Sequence, residues 1–217
     1  KSIYKKLDIS KFEIIIVDDN SNDGTSEILK DLEKNYKNLK IIIRTEQPRD
    51  LSKSCQKGFD NTKYENILVM DGDLQHDPIY IPIMVNEFKK FNCDIVVGAR
   101  DLLGNRITGL SSLRQFASRF LIKIINIFLK RKTSDPMGGY FLFKKQIYKK
   151  NKNLFFLKGY KILIDLIYSS KQDLNIRDIK IKFKHRLGGL SKMNFKVLFT
   201  LLIFILRAIK FRYFVLR

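Results

Sequence analysis

Four short apolar runs, each followed by a stretch that reads as a helix, constrain this chain more than anything else in it. Residues 12–17 (FEIIIV), 39–43 (LKIII), 66–70 (NILVM) and 94–97 (DIVV) are rich in β-branched side chains and show no in-out alternation. Runs of this kind suit strands buried on both faces. Thr25 or Ser26 can cap a helix reaching about Tyr36, with Ile28, Leu29 and Leu32 on its apolar face. Residues 52–61 and 82–91 supply two more helices. The β-α-β-α-β-α-β order predicts an α/β fold: a mostly parallel sheet with helices on both faces. Ligands of such sheets bind beyond the carboxyl ends of the strands. Two acidic clusters fall there, DDNSNDGT from Asp18 and DGDLQHD from Asp71.

After Arg100 the rhythm changes. Residues 111–129 read as a long helix, followed by an SDPMGG loop, a strand over 140–144 and a helix near 160–169. Residues 176–183 alternate as a strand, and a basic HRLGGLSK loop leads into an apolar C-terminal stretch. The net charge of +20 over 217 residues attracts polyanions: nucleic acid, anionic lipid or phosphorylated substrates. A nucleic-acid module would interleave its cations with exposed aromatics. Here the aromatics follow the apolar periodicity, so a nucleic-acid partner is not expected. Cys55 and Cys93 form no metal spacing and read as ordinary thiols in a reducing compartment. A P-loop, a G-x-G-x-x-G fingerprint and a Ser/His/Asp set are all missing from the sequence.

The DGDLQHD stretch carries the chemistry. At the end of an extended segment Asp71 and Asp73 would point the same way. Two carboxylates with no adjacent cation in sequence repel, and a divalent metal between them removes the conflict. Mg2+ and Mn2+ prefer oxygen ligands, and Mg2+ completes its shell with waters and substrate phosphates. Gln75 adds an amide oxygen, and Gly72 clears space for a phosphate to approach the backbone. The competing reading is a solvated acidic turn that caps a helix. His76 and His185 read as loop or hydrogen-bonding residues before metal ligands.

The motifs IIIVDDNSNDGT, VMDGDLQHDP, VVGAR, SDPMGGYFLFKK, GYKILIDLI and HRLGGLSK occur in that order. Together they resemble the family 2 glycosyltransferases of the Rossmann-like GT-A fold, along nearly the whole chain. The closer likeness is to the polyprenyl-phosphate branch, typified by dolichol-phosphate mannosyltransferase. The resemblance implies an inverting transfer of mannose or glucose from a nucleotide diphosphate sugar to a polyprenyl (dolichyl or undecaprenyl) phosphate. GDP-mannose is the first donor it suggests and UDP-glucose the second. It places Mg2+ or Mn2+ on Asp71, Asp73 and Gln75, and the nucleoside at Asp19 with Asp18 beside it. Arg186 and Lys192 would neutralise the departing diphosphate, with Asp73 in the catalytic set. Arg100, Arg114 and Ser118 would grip the acceptor phosphate. Asp135 and Gly138–Gly139 match a D-P-x-S-G segment near the sugar. The sequence departs from the pattern where Asp50 and Ser52 stand in a usual Gly-Leu-Gly stretch and where Gly138 replaces a serine.

The resemblance also expects a first strand before FEIIIV. The chain opens on Lys1 without a Met and shows no signal peptide, so an upstream start is expected. Residues 1–192 read as the catalytic domain and 193–217 as a membrane-proximal amphipathic helix. Residues 195–206 are almost wholly apolar, then Arg207, Lys210, Arg212 and Arg217 intervene. The apolar run falls short of the about 20 residues of a membrane span and fits an interfacial helix. That puts the protein at the cytoplasmic face of a membrane, with the membrane surface, and by resemblance a separate anchoring subunit, as partners. A core helix and a truncated span remain the other readings of this segment. The alternative enzyme is a family 2 transferase acting on a glycan hydroxyl, which needs a general base, and Asp135 is the candidate. A degenerate binding subunit of a transferase complex is a further reading.

Overall fold

The computed structural model describes residues 3–4, 7–100, 133–156, 162–170 and 172–183, together with 203 and 206. Its strands are β1 (Ile14–Asp18), β2 (Leu39–Ile43), β3 (Asn66–Val69), β4 (Ile95–Arg100), β5 (Phe141–Lys144) and β6 (Ile176–Ile181). Its helices are α1 (Thr25–Asn35), α2 (Leu51–Asn61), α3 (Tyr80–Lys90), α4 (Lys145–Asn151) and α5 (Ile162–Tyr168). The alternation expected through β4 is present. The short helix α4, directly after β5, was not foreseen. The predicted helix over 111–129 lies outside the described residues.

Strands β1 and β2 form a parallel pair, and the other four form a sheet in the order β3-β5-β4-β6. Three of those four run the same way, with β5 opposed to both its neighbours. The expectation of a mostly parallel sheet therefore holds, with one antiparallel strand set between β3 and β4. The register matters most. Phe141 opens β5 and lies opposite Val69 of β3 on one side and Val97 of β4 on the other. The start of β5 thus lies beside the ends of β3 and β4. Because β6 is parallel to β4, with Ile181 opposite Arg100, its end reaches the same rim.

Burial follows the two-residue period of the strands. Ile95, Val97 and Ala99 of β4 and Phe141 and Phe143 of β5 pack on one face with Phe59 of α2, Ile147 and Tyr148 of α4, and Leu163 and Leu166 of α5. Val96 and Leu142 turn to the other face, with Met84 and Phe88 of α3 and Ile181 of β6. Helices cover both faces, as the unalternating runs require. The β1–β2 pair is different. Most of its side chains are half-buried, and α1 has no buried residue. Ile28, expected on the apolar face of α1, is 64% exposed. A two-stranded pair offers α1 too narrow an apolar surface to cover more than Leu29 and Leu32.

Helix starts show how local chemistry sets the frame. Asp50 caps α2, its Oδ1 accepting from Ser52 N (2.8 Å) and Lys53 N (3.4 Å). An aspartate in the place of the family's glycine therefore has a structural use. At α1 the cap is Gly24 and not the expected Thr25 or Ser26. Asp23 bonds both the Thr25 amide and the Thr25 hydroxyl, so the first turn is held from one residue further back. Both cysteines are free, and Cys93 is buried.

Phe143 is fully buried and meets Phe59 edge-on at 5.1 Å between ring centroids. Phe143→Ala is expected to lower the unfolding free energy by about 3–5 kcal/mol, read as a shifted urea midpoint at constant m-value. A loss below about 1 kcal/mol would mean the sheet face is less tightly packed than described.

Candidate active site

The rim where β3, β4 and β6 end and β5 begins, and the end of β1 in the two-stranded pair, carry the chemistry-bearing residues. At the end of β1, Asp18 is buried and accepts from Ser21 N (2.8 Å), Ser21 Oγ (2.5 Å) and Ser26 Oγ (3.2 Å). Its carboxylate is used to fold the turn into α1. Asp19 points elsewhere. Its Oδ2 accepts from Asp50 N at 2.7 Å, and its Oδ1 lies 2.6 Å from Nη2 of the buried Arg44. Arg44 Nη2 donates to the Pro48 carbonyl at 2.9 Å. Among the described residues neither Asp19 Oδ1 nor Arg44 Nε makes an aligned hydrogen bond, so charge holds this pair. Sequence reading missed Arg44, since one arginine at the end of a strand carries no signal of burial.

At the end of β3, the extended geometry stops at Val69, so Asp71 and Asp73 are placed by a turn and not by strand alternation. Asp73 Oδ1 accepts from Gln75 N at 3.1 Å, and Leu74 takes a left-handed φ of 64° that places its side chain in solvent. Such a conformation is costly for a non-glycine residue and concentrates at functional loops. His76 is buried beneath this turn. Its Nδ1 accepts from Asp71 N at 3.1 Å, which places the ring proton on Nε2. The ring stacks on Tyr140 at 4.9 Å, and Tyr140 Oη donates to the Asp77 carbonyl at 3.1 Å. Burial pushes the His76 pKa below its ordinary value, against the pull of the Asp71 and Asp73 charges. His76 is thus a hydrogen-bond partner that aims Asp71, as the sequence suggested.

At the end of β4, Arg100 grips the fully buried Asp135 in a bidentate pair, Nε to Oδ2 at 2.7 Å and Nη2 to Oδ1 at 2.9 Å. The Arg100 amide adds a third bond to Oδ2 at 3.2 Å. Burial alone would weaken the Arg100 charge, but the Asp135 bonds and the Asp71 field raise its pKa above the usual arginine value. The guanidinium also lies over the Phe183 ring at 5.3 Å.

The loop ahead of β5 joins these groups. A Cβ on Gly139 would stand 2.8 Å from Asp71 Oδ2, closer than real Cβ contacts come. A Cβ on Gly138 would meet Asp135 Oδ2 and the Asp135 carbonyl at 3.3 Å. The two glycines let one backbone segment press against both carboxylates. The rim is also continuous with α2. Burial, then the charges of Asp71 and Asp50, push the Cys55 thiol up to about 12.

The family model for glycosyl transferase family 2 matches residues 1–151, well over half the chain. The chain belongs to that family. Three relatives of this family 2 chain, each named dolichol-phosphate mannosyltransferase, are 31% identical to it. They come from Pyrococcus furiosus, Mycosarcoma maydis and Saccharomyces cerevisiae, and the matches cover 92%, 95% and 87% of this chain. The chain spans 55% of the Pyrococcus protein's length, and 69% and 71% of the fungal ones. A glucosyl-3-phosphoglycerate synthase from Mycobacterium tuberculosis, solved with Mn2+, UDP-glucose and phosphoglyceric acid, superposes with a TM-score of 0.62 at 15% identity. That match covers 91% of this chain and 67% of the synthase. S. aureus TarS gives 0.61 at 16% identity, covering 97% of this chain and 62% of its own. At these identities the likeness speaks for the fold, which is GT-A.

Asp71, Asp73, Gln75 and Arg100 stand on the rim of the four-stranded sheet, with Asp135 and the two glycines among them, while Asp18 and Asp19 stand at the end of β1 in the separate pair. Arg114, Ser118, Arg186, Lys192 and His185 lie outside the described residues. Among the described residues no group of three or more His, Cys, Asp or Glu side chains is clustered to hold a metal unaided. The donors present still fit Mg2+ or Mn2+. They are oxygens, Asp71 is 43% exposed, and Gly139 keeps the space at its carboxylate clear. A cation that takes one or two carboxylates and completes its shell with phosphate and water needs no closed cage.

Replacing His76 leaves the Asp71 amide without its acceptor and opens a cavity against Tyr140. His76→Ala is expected to cost about 2–4 kcal/mol and to speed hydrogen exchange at the Asp71 amide. Unchanged protection of that amide would show that His76 does not hold the turn.

Proposed function

We propose that this chain is an inverting glycosyltransferase that moves a hexose from a nucleoside diphosphate sugar to a polyprenyl phosphate. The observation that carries the reading is the convergence on one rim of an acidic turn suited to a metal diphosphate and an arginine suited to a phosphate, bridged by one loop. Membership of family 2 and three relatives named dolichol-phosphate mannosyltransferase support it. Mannose is the first choice of sugar for that reason. The M. tuberculosis neighbour crystallised with UDP-glucose keeps glucose as the second.

Asp71, Asp73 and Gln75 would hold Mg2+ or Mn2+, which when bound offsets the negative charge that develops on the departing diphosphate. Asp19, kept in place by Arg44 and the Asp50 amide, would face the nucleoside, while Asp18 shapes the turn beside it. Arg186 and Lys192 would add fixed positive charge at the leaving group. Arg100 is engaged by Asp135 along its Nε/Nη2 edge, and the fork geometry of guanidinium leaves the Nη1 edge for a phosphate oxygen. Arg114 and Ser118 would complete that grip.

The acceptor chemistry follows from what Asp135 is doing. A phosphate monoester, with a second pKa of about 6, is already largely ionised near neutral pH and needs no base. A glycan hydroxyl would need one. Asp135, the candidate for that duty, is fully buried and accepts three hydrogen bonds from Arg100. That arrangement favours the lipid phosphate over the glycan hydroxyl. In-line placement of the phosphate oxygen against the anomeric carbon would then supply much of the rate.

Residues 1–192 would be the catalytic domain, and 193–217 a helix lying along the cytoplasmic face of a membrane. Ile203 and Leu206, each helical and exposed, fit an apolar surface turned outward. Among the described residues no helix is long and apolar enough to cross a membrane.

The test is incubation with labelled GDP-mannose or UDP-glucose and polyprenyl phosphate, with Mg2+, with Mn2+ or with chelator. Transfer should need the cation, and Asp73→Asn should lower it at least about 100-fold with the urea midpoint unchanged. Wild-type rates in that variant, or transfer only to a glycan hydroxyl, would overturn the reading.

A further inference from the structure

Asp178 lies on the edge strand β6 and has been assigned no role above, yet three bonds from Thr133 and Ser134 end on it. Its Oδ1 accepts from Thr133 Oγ1 at 2.6 Å, and its Oδ2 from Ser134 N at 2.7 Å and Ser134 Oγ at 2.6 Å. Bonds to an ionised acceptor are shorter and stronger than neutral ones. The connection continues inward. Thr133 is buried, and its Oγ1, having given its proton to Asp178, accepts from the Asp135 amide at 3.3 Å. The Asp135 carbonyl then accepts from Gly138 N at 3.1 Å, closing the turn that brings Gly139 against Asp71.

We infer that Asp178 is a positioning residue for the transfer, fixing the 133–139 loop and through it both Arg100 and Asp71. The inference rests on the reading of the rim given under Proposed function. A carboxylate on this strand serves better than an amide. Both of its oxygens accept, whereas Asn would turn an NH2 group toward the Ser134 amide or toward the Thr133 hydroxyl. In the parallel β4–β6 ladder Asp178 lies opposite Val97, three residues before Arg100. The anchor therefore stands on the strand next to the arginine it helps to aim.

The experiment uses the full chain with selectively 15N-labelled arginine and the variants Asp178→Ala, Asp178→Asn and Thr133→Val. The Arg100 Nε–H signal, assigned by its loss in Arg100→Lys, should shift and exchange with water at least about fivefold faster in all three. The KM for polyprenyl phosphate should rise about tenfold in Asp178→Ala and less in Asp178→Asn. Combined with Arg100→Lys, Asp178→Ala should add little further loss, because the two act on one unit. An unchanged Arg100 Nε–H signal would overturn the inference whatever the transfer assay gives. So would a fall in unfolding midpoint with no change in KM, or fully additive losses. Absence of transfer by the wild-type chain would instead sink the proposed function, and the Arg100 signal would still decide the role of Asp178.

Discussion

The site depends on one register: Phe141 lying opposite both Val69 and Val97. Parallel strands all present their carboxyl ends to one rim, and the residues that follow each strand leave in turn. An antiparallel strand placed between two of them does the reverse. It carries the residues before it to that rim, here Thr133 to Tyr140, and threads them between the turn after β3 and the end of β4. Without β5 in that slot, Asp71 and Arg100 would end separate loops with nothing to fix their relation. With it, Gly139 stands against Asp71, Asp135 against Arg100 and Tyr140 against His76. A slip of one residue would exchange Phe141 and Phe143 with Tyr140 and Leu142 between two differently shaped packed faces, misfitting both. Packing deep in the sheet thereby sets the geometry of polar groups at its edge.

The rim also divides its carboxylates between folding and chemistry. Asp18 is spent on a turn, Asp50 on a helix cap and Asp135 on an arginine. Each has partners that satisfy the charge locally. Asp71 is steered from behind, through its amide to His76, while its carboxylate stays partly in solvent. A neutral imidazole is suited to that position. It offers a lone pair to a backbone N–H without placing a cation next to the Asp71 and Asp73 carboxylates. Burial, which depresses the pKa of His76, maintains that state. The net charge of +20 attracts polyanions at large, while this rim is itself locally acidic.

The order of elements through β4 was legible in the sequence because burial on both faces leaves unbroken β-branched runs. Both acidic clusters could be placed just after strand ends for the same reason. What could not be read was whatever depends on pairing between distant segments. FLFK announces a strand and gives no sign of its direction or neighbours. Ile28 follows helical periodicity yet is exposed, since periodicity identifies a face and says nothing of how wide a surface awaits it. The i, i+2 reading of Asp71 and Asp73 assumed a strand that in fact stops at Val69. Arg44 and Asp178 gave no signal, because a charged residue beside a strand is usually solvated and only the fold reveals its partners. Gly138 and Gly139 stood out through a family resemblance, and the physical reason, close approach to two carboxylates, needed coordinates.

The departures from the family pattern can now be sorted by what they touch. Asp50 replaces a glycine and its carboxylate caps α2, while its backbone amide, which a glycine would also supply, bonds Asp19. Gly138 replaces a serine at the inner side of the loop, where even a Cβ would press on Asp135 at 3.3 Å. A serine there would need the neighbouring backbone to give by a few tenths of an ångström, and its hydroxyl would compete with Arg100 for Asp135 Oδ2. The glycine therefore leaves the Asp135–Arg100 pair uncontested. Under the proposed function, reaction type would follow from the phosphate grip and the acidic turn, of which Arg100, Asp71, Asp73 and Gln75 are described. The identity of the sugar would depend on the small polar contacts that differ.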